Sequence, residues 1–478
     1  MLNPPVNKGL LSLGDKQRLF TRTLSLVALR VPAALCNRAM QTLPPHLLDI
    51  PRIRSVVQDP LSLTSKLVLL NHAISSDSVP QSVRDFAAEI NADFIHDFPL
   101  NLEYDYWTAD QILRSILPDE LNVPSSFELI GHIAHMNLRK EYLPFKNIVG
   151  EVILDKNHYV RTVVNKTDSI DHTFRFFKME VIAGEDDFLA ELKESNCKFK
   201  FDFSKVYWNS CLQTEHDRLV SQFFAKKDFV CDVMAGVGPF ALPAAKNRGC
   251  TVFANDLNPE SYKWLESNVK DNKLGHLVRA YNMDGRDFVR QSLVDLNLPD
   301  IQAEMAALVP SAPSRGSKKK TKNTKDAEQS AEAVPAEEPK AIASEPSSNG
   351  LLEATKPTST FRFFQHYVMN LPATALEFLD AFYGLFHGRE SIVPASSLPI
   401  IHCHCFSTVM EDLEGDVHKR AEKYLGCAIP AENIIKIHRV RDVAPKKEML
   451  CISFRLPAEA AYANPRSSEK RKHEDTAA

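Results

Sequence analysis

From Phe229 onward, short apolar runs alternate with amphipathic stretches, and that rhythm constrains the fold more than anything else in the chain. FVCDV (229–233), TVFAND (251–256), LVRAYN (277–282), HYVMNL (366–371), IIHCHCF (400–406), IIKIHRV (434–440) and MLCISFRL (449–456) read as seven strands. Helical segments are expected at 239–248, at PESYKWLESNVKDN (259–272), which Pro259 is well placed to start, and at ATALEFLDAFYGLF (373–386). Parallel neighbours need a crossover, so the alternation implies an α/β fold with a doubly wound, Rossmann-like sheet. The last two strands have no helix between them and are expected to pair antiparallel.

The first strand of this series runs into CDVMAGVGPF (231–240). Asp232 ends the strand, and Gly236 and Gly238 remove two Cβ atoms where it turns into a helix. Such a turn lets backbone approach a ligand closely. Asp256 ends the next strand, twenty positions after Gly236, where an acid binds a ribose diol. Asp284 and Gly285 follow the third strand, and an Asp there can accept from an adenine amino group. The third glycine of a dinucleotide fingerprint is replaced by Ala241. The pattern therefore favours a transferase using S-adenosyl-L-methionine (AdoMet) over a nicotinamide dehydrogenase. MNLPA (369–373) ends the fourth strand beside the reactive end of such a cofactor. Asn370 offers one acceptor and two donors there, and Pro372 stiffens the turn. Upstream, Thr214 and Asp217 can form a capping box, with Glu215 in the first turn of the helix. Tyr207 and Trp208 read as core aromatics or stacking groups.

The 478 residues suffice for two or three domains. A formal net charge of −4 gives no global nucleic-acid signature, although a basic face can hide beneath a neutral total. Nine cysteines with no Cys-x-x-Cys pair argue for reduced thiols. His402-Cys403-His404-Cys405 alternates as a strand does, with both His on one face, and is read as a buried strand instead of a metal site. No apolar run is long enough for a membrane span. Asp15 is the single acid in the first 48 residues, against Lys8, Lys16, Arg18, Arg22, Arg30 and Arg38. That composition fits a targeting segment over 1–14. RLFTRTLSLVALRV also has helical periodicity, and residues 15–124 are expected to form a mostly helical domain. Residues 125–205 are expected to form a small α+β domain in which NIVGEVILDKN (147–157) and VRTVVNK (160–166) are strands. The catalytic domain is expected at 206–301 and 361–462. The Lys-, Glu-, Ser- and Pro-rich stretch 302–360 and the tail 463–478 are expected to be disordered. The insertion feeds the start of a strand, so it is expected on the side away from the chemistry.

Together KVYWNSCLQTEHDRL, DVMAGVGPFALPAAK, ANDLNPESYKWLESNVKDNK, NMDGRDF and MNLPA, with RTVVNKTDSI and FKMEVIAGEDD upstream, resemble the eukaryotic tRNA (guanine-37-N1)-methyltransferase family. The resemblance implies a class I AdoMet-dependent methyltransferase acting as a monomer on tRNA with guanine at position 37, with no metal required. It implies Glu215 as general base and His216, Asp256, Leu257, Asp284, Gly285 and Asn370 as cofactor contacts. It implies Arg175 beside the guanine carbonyl oxygen and Tyr207 near the target base. A base in Glu215's position needs a raised pKa or a dry site. Ser210-Cys211 departs from the family's Pro-Arg, which bears on substrate affinity. The related aminocarboxypropyl transferase of wybutosine synthesis and a catalytically weakened tRNA-binding protein are the alternatives, and MNLPA favours methyl transfer. The family often serves the mitochondrial matrix, cytoplasm and nucleus, so dual targeting is expected.

Overall fold

The computed structural model describes residues 2–124, 126–167, 178–307 and 361–465. The chain divides into two compact units, Met1–Glu194 with Lys198–Gln213, and Ser195–Cys197 with Thr214–Ala478.

The first unit is not mostly helical before residue 124. Its short helices α1 (Lys16–Phe20), α2 (Cys36–Thr42), α3 (Gln81–Glu89) and α4 (Ala109–Ile116) accompany four strands. These are β1 (Arg22–Pro32), β2 (Val56–Gln58), β3 (Ser65–Leu69) and β4 (Asp93–Leu102), ordered β2-β3-β1-β4 and antiparallel throughout. The segment with helical periodicity is β1. Its buried residues separate by parity, as a strand requires. Val27, Leu29 and Val31 pack with Val68, Val83 and Phe86, whereas Leu26 and Ala28 pack with Leu48, Ile50 and Leu67. With both faces covered, the apolar run loses the alternation that would have marked it as a strand.

A second sheet has the order β5 (Glu128–Ile130), β6 (Ile133–Met136), β7 (Thr162–Lys166), β8 (Met179–Gly184). NIVGEVILDKN is not a strand but helix α5 (Lys146–Lys156), the crossover between the parallel pair β6 and β7. Its buried Ile148, Val149, Val152 and Ile153 have helical spacing. Gly150 brings α5 onto β8: a Cβ there would lie 3.0 Å from side-chain carbons of Ala183 and Ile182. The boundary expected at 124/125 does not separate two cores. Trp107, Ile112 and Ile116 share one cluster with Met136, Ile148, Val163 and Ile182. A hairpin, β9 (Leu189–Glu194) and β10 (Cys197–Asp202), follows.

The extreme N-terminal stretch is seated on this unit. The Asn7 and Gly9 amides donate to the carbonyls of Ser115 and Ile116 at 2.9 Å, and Leu13 is buried in the shared cluster. Leu13→Ala is expected to destabilise the protein by about 2–4 kcal/mol, read as a lower urea midpoint. An unchanged midpoint would show the stretch to be detached in solution.

The second unit is built on seven strands: β11 (Phe229–Asp232), β12 (Thr251–Asn255), β13 (Val278–Tyr281), β14 (His366–Met369), β15 (Ile400–Ser407), β16 (Ile434–Ala444) and β17 (Lys447–Arg455). Their order is β13-β12-β11-β14-β15-β17-β16. The first five are parallel, and β17 is antiparallel to both its neighbours, as the missing crossover required. The helices are α6 (Gln213–Gln222), α7 (Ala241–Arg248), α8 (Pro259–Asp271), α9 (Gly285–Asp295), α10 (Pro299–Ala307), α11 (Leu413–Leu425) and α12 (Ala458–Tyr462). Strand β11 pairs with β12 on one side and β14 on the other, so the order reverses there. Ligands of open α/β sheets bind at the carboxyl ends of the strands flanking such a point.

The stretch expected as a helix at 373–386 is a 3₁₀ helix over Ala375–Phe382. Its buried Leu376, Leu379 and Phe382 recur every third residue, which suits three residues per turn. Residues 302–307, expected to begin a disordered insertion, complete α10, and 308–360 lie outside the described residues. Residues 463–465 are described, and the rest of the expected tail is not. No described helix is long and apolar enough to cross a membrane.

Candidate active site

The turn after β11 is locked from below. The Ala235 amide donates to Asn255 O at 2.7 Å, and the Gly236 amide donates to Asp256 Oδ2 at 2.8 Å. Asp256 Oδ1 accepts from the Asn258 amide at 2.9 Å, and Asn258 caps α8. Asp256 therefore ties the glycine turn to the start of the next helix, and with the Ser261 side chain as a third donor its carboxylate keeps one lone-pair site for a ligand. Burial raises its pKa, and the two amides and the Ser261 side chain pull it back.

Gly236 and Gly238 have φ of +55° and +99°. A Cβ on Gly236 would meet no atom within 4 Å, so the space above it is open. A Cβ on Gly238 would lie 2.2 Å from Leu242 Cδ1. Gly285 is demanded by packing, since a Cβ there would press on Val233 and Phe378 at 3.1–3.2 Å. Asp284 caps α9 through the Arg286 amide, and Arg286 is pinned by Asp380 at 2.9 Å. Leu257 is half exposed. Asp232, Gly236, Asp256, Asp284 and Asn370 thus stand at the carboxyl ends of four adjacent strands.

Two of these groups are left unsatisfied. Asp232 is fully buried, and neither carboxylate oxygen makes a well-formed hydrogen bond. Burial and the neighbouring Asp256 charge push its pKa up to about 8. Asn370 Oδ1 is buried without a partner. Unpaired buried polar atoms cost about 1–3 kcal/mol each, and at a strand end beside an open glycine turn they are the mark of a ligand site. The set fits a nucleoside bearing a cationic substituent: Asp256 for a ribose diol, Asp284 for an adenine edge, and Asp232 and Asn370 toward the polar tail.

Glu215 lies in the first turn of α6 and is 2% exposed. Arg218 Nε donates to its Oε2 at 2.6 Å and Arg218 Nη2 to its Oε1 at 2.8 Å. His404 Nε2 donates to Oε1 at 2.8 Å, and His438 Nε2 stands 3.6 Å from Oε2. Burial alone would raise the Glu215 pKa. The hydrogen bonds and charges of Arg218 and His404 overcome it and bring the pKa down to about 2. The raised pKa expected of a base is therefore not found. The site is dry, but two cations hold the carboxylate ionised. Burial disfavours the charged imidazole of His404, yet Cys451 and Glu215 raise its pKa to about 10.

The alternation in β15 places His402 and His404 on one face. His402 hydrogen-bonds Ser453 at 2.8 Å and His366 at 3.1 Å, and its burial keeps it neutral. Ligand atoms of Glu215, His404 and Cys451 lie within 4.8 Å of one another. Arg218 occupies both Glu215 oxygens, so this group is organised around hydrogen bonds and a cation would meet the guanidinium.

Helix α6 begins earlier than a capping box at Thr214 would place it. A 3₁₀ turn, Ser210–Leu212, runs directly into it, and Asn209 caps that turn through the Cys211 amide. Thr214 is consequently inside the helix. His216 is buried, edge-on to Phe240 at 4.7 Å. In the first unit, Trp208 is a core aromatic against Phe199 and Phe201, whereas Tyr207 is 40% exposed. Cys211 is exposed there. Pro372 accepts from the Phe406 amide at 2.9 Å through its carbonyl, fixing the loop after β14. Arg175 lies outside the described residues.

Sequence reasoning missed Arg218, His404 and His438. Arg218 is one helical turn from Glu215, a spacing at which a pair can be suspected. His404 was marked only by the parity of its strand, and nothing local pointed to His438.

Residues 109–187 match the TYW2 N-terminal domain family, and 190–303 match the TRM5/TYW2 methyltransferase domain family. The chain is 48% identical to a tRNA (guanine(37)-N(1))-methyltransferase of Batrachochytrium dendrobatidis, covering 99% of this chain and 94% of that one. It is 44% identical to the protein of the same name from Coprinopsis cinerea, covering 96% and 97%. The crystal structure of Trm5b from Pyrococcus abyssi shares the fold, with a TM-score of 0.50 and 20% identity over 90% of this chain and 98% of that one. The chain belongs to the tRNA (guanine(37)-N(1))-methyltransferase family.

Proposed function

We propose that this chain transfers the methyl group of AdoMet to N1 of guanine 37 in tRNA, with Glu215 as the base that takes the N1 proton. The observation that carries the role of Glu215 is its geometry: a buried, ionised carboxylate with one oxygen not fully occupied, tied through His404 to Met369, the last residue of β14 before Asn370.

AdoMet, when bound, supplies a methyl group on a sulfonium that departs as a neutral thioether. The chain has to bring guanine N1 in line, remove its proton and exclude water. Guanine N1 is a poor nucleophile while protonated. Glu215 takes the N1 proton as N1's electron pair forms the bond to the methyl carbon and the carbon–sulfur pair stays on sulfur. Oε1 already has two donors, so Oε2 is the oxygen with a lone pair to spare. Asn370 orients the reacting groups, and Asp232, His216, Gly236, Gly238, Asp256, Leu257, Asp284 and Gly285 hold the cofactor. Arg175 is assigned to the charge that develops on the guanine carbonyl oxygen, and Tyr207 and Pro372 to the turned-out base. The family resemblance supports a monomer distributed among mitochondrial matrix, cytoplasm and nucleus, which fractionation of a tagged chain would check.

Transcripts carrying G or A at position 37, incubated with methyl-labelled AdoMet, test the substrate. Incorporation is expected with G37 alone, and equal incorporation into both would remove the assignment. Cys211→Arg restores the residue usual in the family at an exposed position. It is expected to lower the KM for tRNA severalfold and to steepen its salt dependence. An unchanged KM would show that this position does not meet the phosphate backbone.

A further inference from the structure

We infer that His404 is a positioning residue that sets the basicity of Glu215, and that methyl transfer runs from the enzyme form in which His404 is neutral and still donates its Nε2 proton to Glu215 Oε1. The inference rests on Glu215 being the base and goes beyond it.

His404 is fully buried, and its ring is fixed at both nitrogens. Nε2 is 2.8 Å from Glu215 Oε1, and Nδ1 is 3.4 Å from the carbonyl oxygen of Met369, the residue before Asn370. The Phe240 ring packs against it at 5.6 Å. The Nε2 bond is short and directed at a carboxylate, so Nε2 keeps its hydrogen in either charge state. The Nδ1 contact is long and is the one that a proton can leave. Losing that proton changes the charge beside Glu215 without releasing the carboxylate.

The consequence for Glu215 is large because few other groups offset it. Arg218 on α6 is a permanent cation on both carboxylate oxygens. Asp232 at the end of β11 is buried and held toward its neutral form. His402 on the same strand is neutral, Cys451 faces His404 from β17, and His438 on β16, held below its usual pKa, stands by Oε2. With His404 charged, Glu215 faces two cations and is a feeble acceptor. With His404 neutral, Glu215 faces Arg218 alone, keeps the same orientation and gains proton affinity. The N1 proton then enters at Oε2, leaving Glu215 a carboxylic acid that loses its proton to water after product release. No proton has to cross His404.

The sign of the pH dependence follows. The His404 pKa is raised to about 10, so its neutral form grows about tenfold per pH unit below that value. Single-turnover methylation by the wild-type enzyme is measured at saturating AdoMet between about pH 6 and about pH 8.5. It should rise about tenfold per unit. His404→Gln puts an amide N–H in place of Nε2–H and cannot ionise. That variant is expected to lose the rising limb and to exceed the wild-type rate by at least about tenfold near the acid end. A merely structural His404 predicts a variant with the wild-type slope, and so does a limb that belongs to the guanine; the same slope in both proteins overturns the inference. If the variant does not fold, judged by AdoMet affinity and melting, a flat wild-type profile is by itself enough to overturn it. Glu215→Gln separates the layers. Undiminished rate in that variant removes the base assignment beneath the inference. Loss of rate there, with an unaltered slope in His404→Gln, removes the inference alone.

Discussion

Glu215→Gln is expected to lower methyl transfer to a G37 transcript by about 10²–10⁴-fold, the usual span of a lost general base. AdoMet affinity should change less than about twofold, because Glu215 bonds Arg218 and His404 and no strand-end cofactor group. The amide keeps the shape of the carboxylate, and its oxygen in the Oε1 place can still accept from Arg218 Nη2 and His404 Nε2, whereas the bond from Arg218 Nε is lost. It cannot take the N1 proton. The charge of Arg218, whose side chain is 10% exposed, loses its partner, so a modest loss of stability accompanies the loss of rate. A melting curve separates the two effects. A rate within tenfold of wild type would show that another group removes the proton.

Asp256→Ala is expected to raise the Kd for AdoMet by about 10- to 100-fold while leaving most of kcat at saturating cofactor. A hydrogen bond to a charged group contributes about 1.5–3 kcal/mol, and each 1.4 kcal/mol is a factor of ten. Asp256 has two tasks, since it binds the Gly236 and Asn258 amides at 2.8–2.9 Å and faces the open turn. Removing it frees the glycine turn as well as the ribose contact. Asp256→Asn separates the tasks: the amide oxygen keeps one backbone bond, so affinity should fall less than in the alanine variant. Equal loss in both would assign the effect to the ligand alone. No loss in either would place the nucleoside elsewhere.

The large sheet was legible because its signals are local. Seven apolar runs, Pro259 after Asn258, and glycines at a turn with positive φ each specify their own backbone. The strand-end acids were legible for the same reason, because topology carries Asp232, Asp256, Asp284 and Asn370 to one edge. The first unit was harder. Strand β1 is buried on both faces and α5 is a crossover wedged against β8, so tertiary packing overrode the period that each short stretch displays. The electrostatics of Glu215 were hidden for another reason. Burial was foreseeable, but Arg218 and His404 together reverse the sign of the pKa shift that burial alone would give, and His404 is 189 positions away.

The identity of the modified nucleoside tests the assigned reaction most directly. A G37 transcript is incubated with AdoMet, digested, and its nucleosides identified by mass spectrometry against standards. The expected product is 1-methylguanosine at position 37, formed by the wild type and formed about 10²–10⁴-fold more slowly by Glu215→Gln. A nucleoside carrying an aminocarboxypropyl group, a methyl group on another guanine atom, or no modification at position 37 would contradict it.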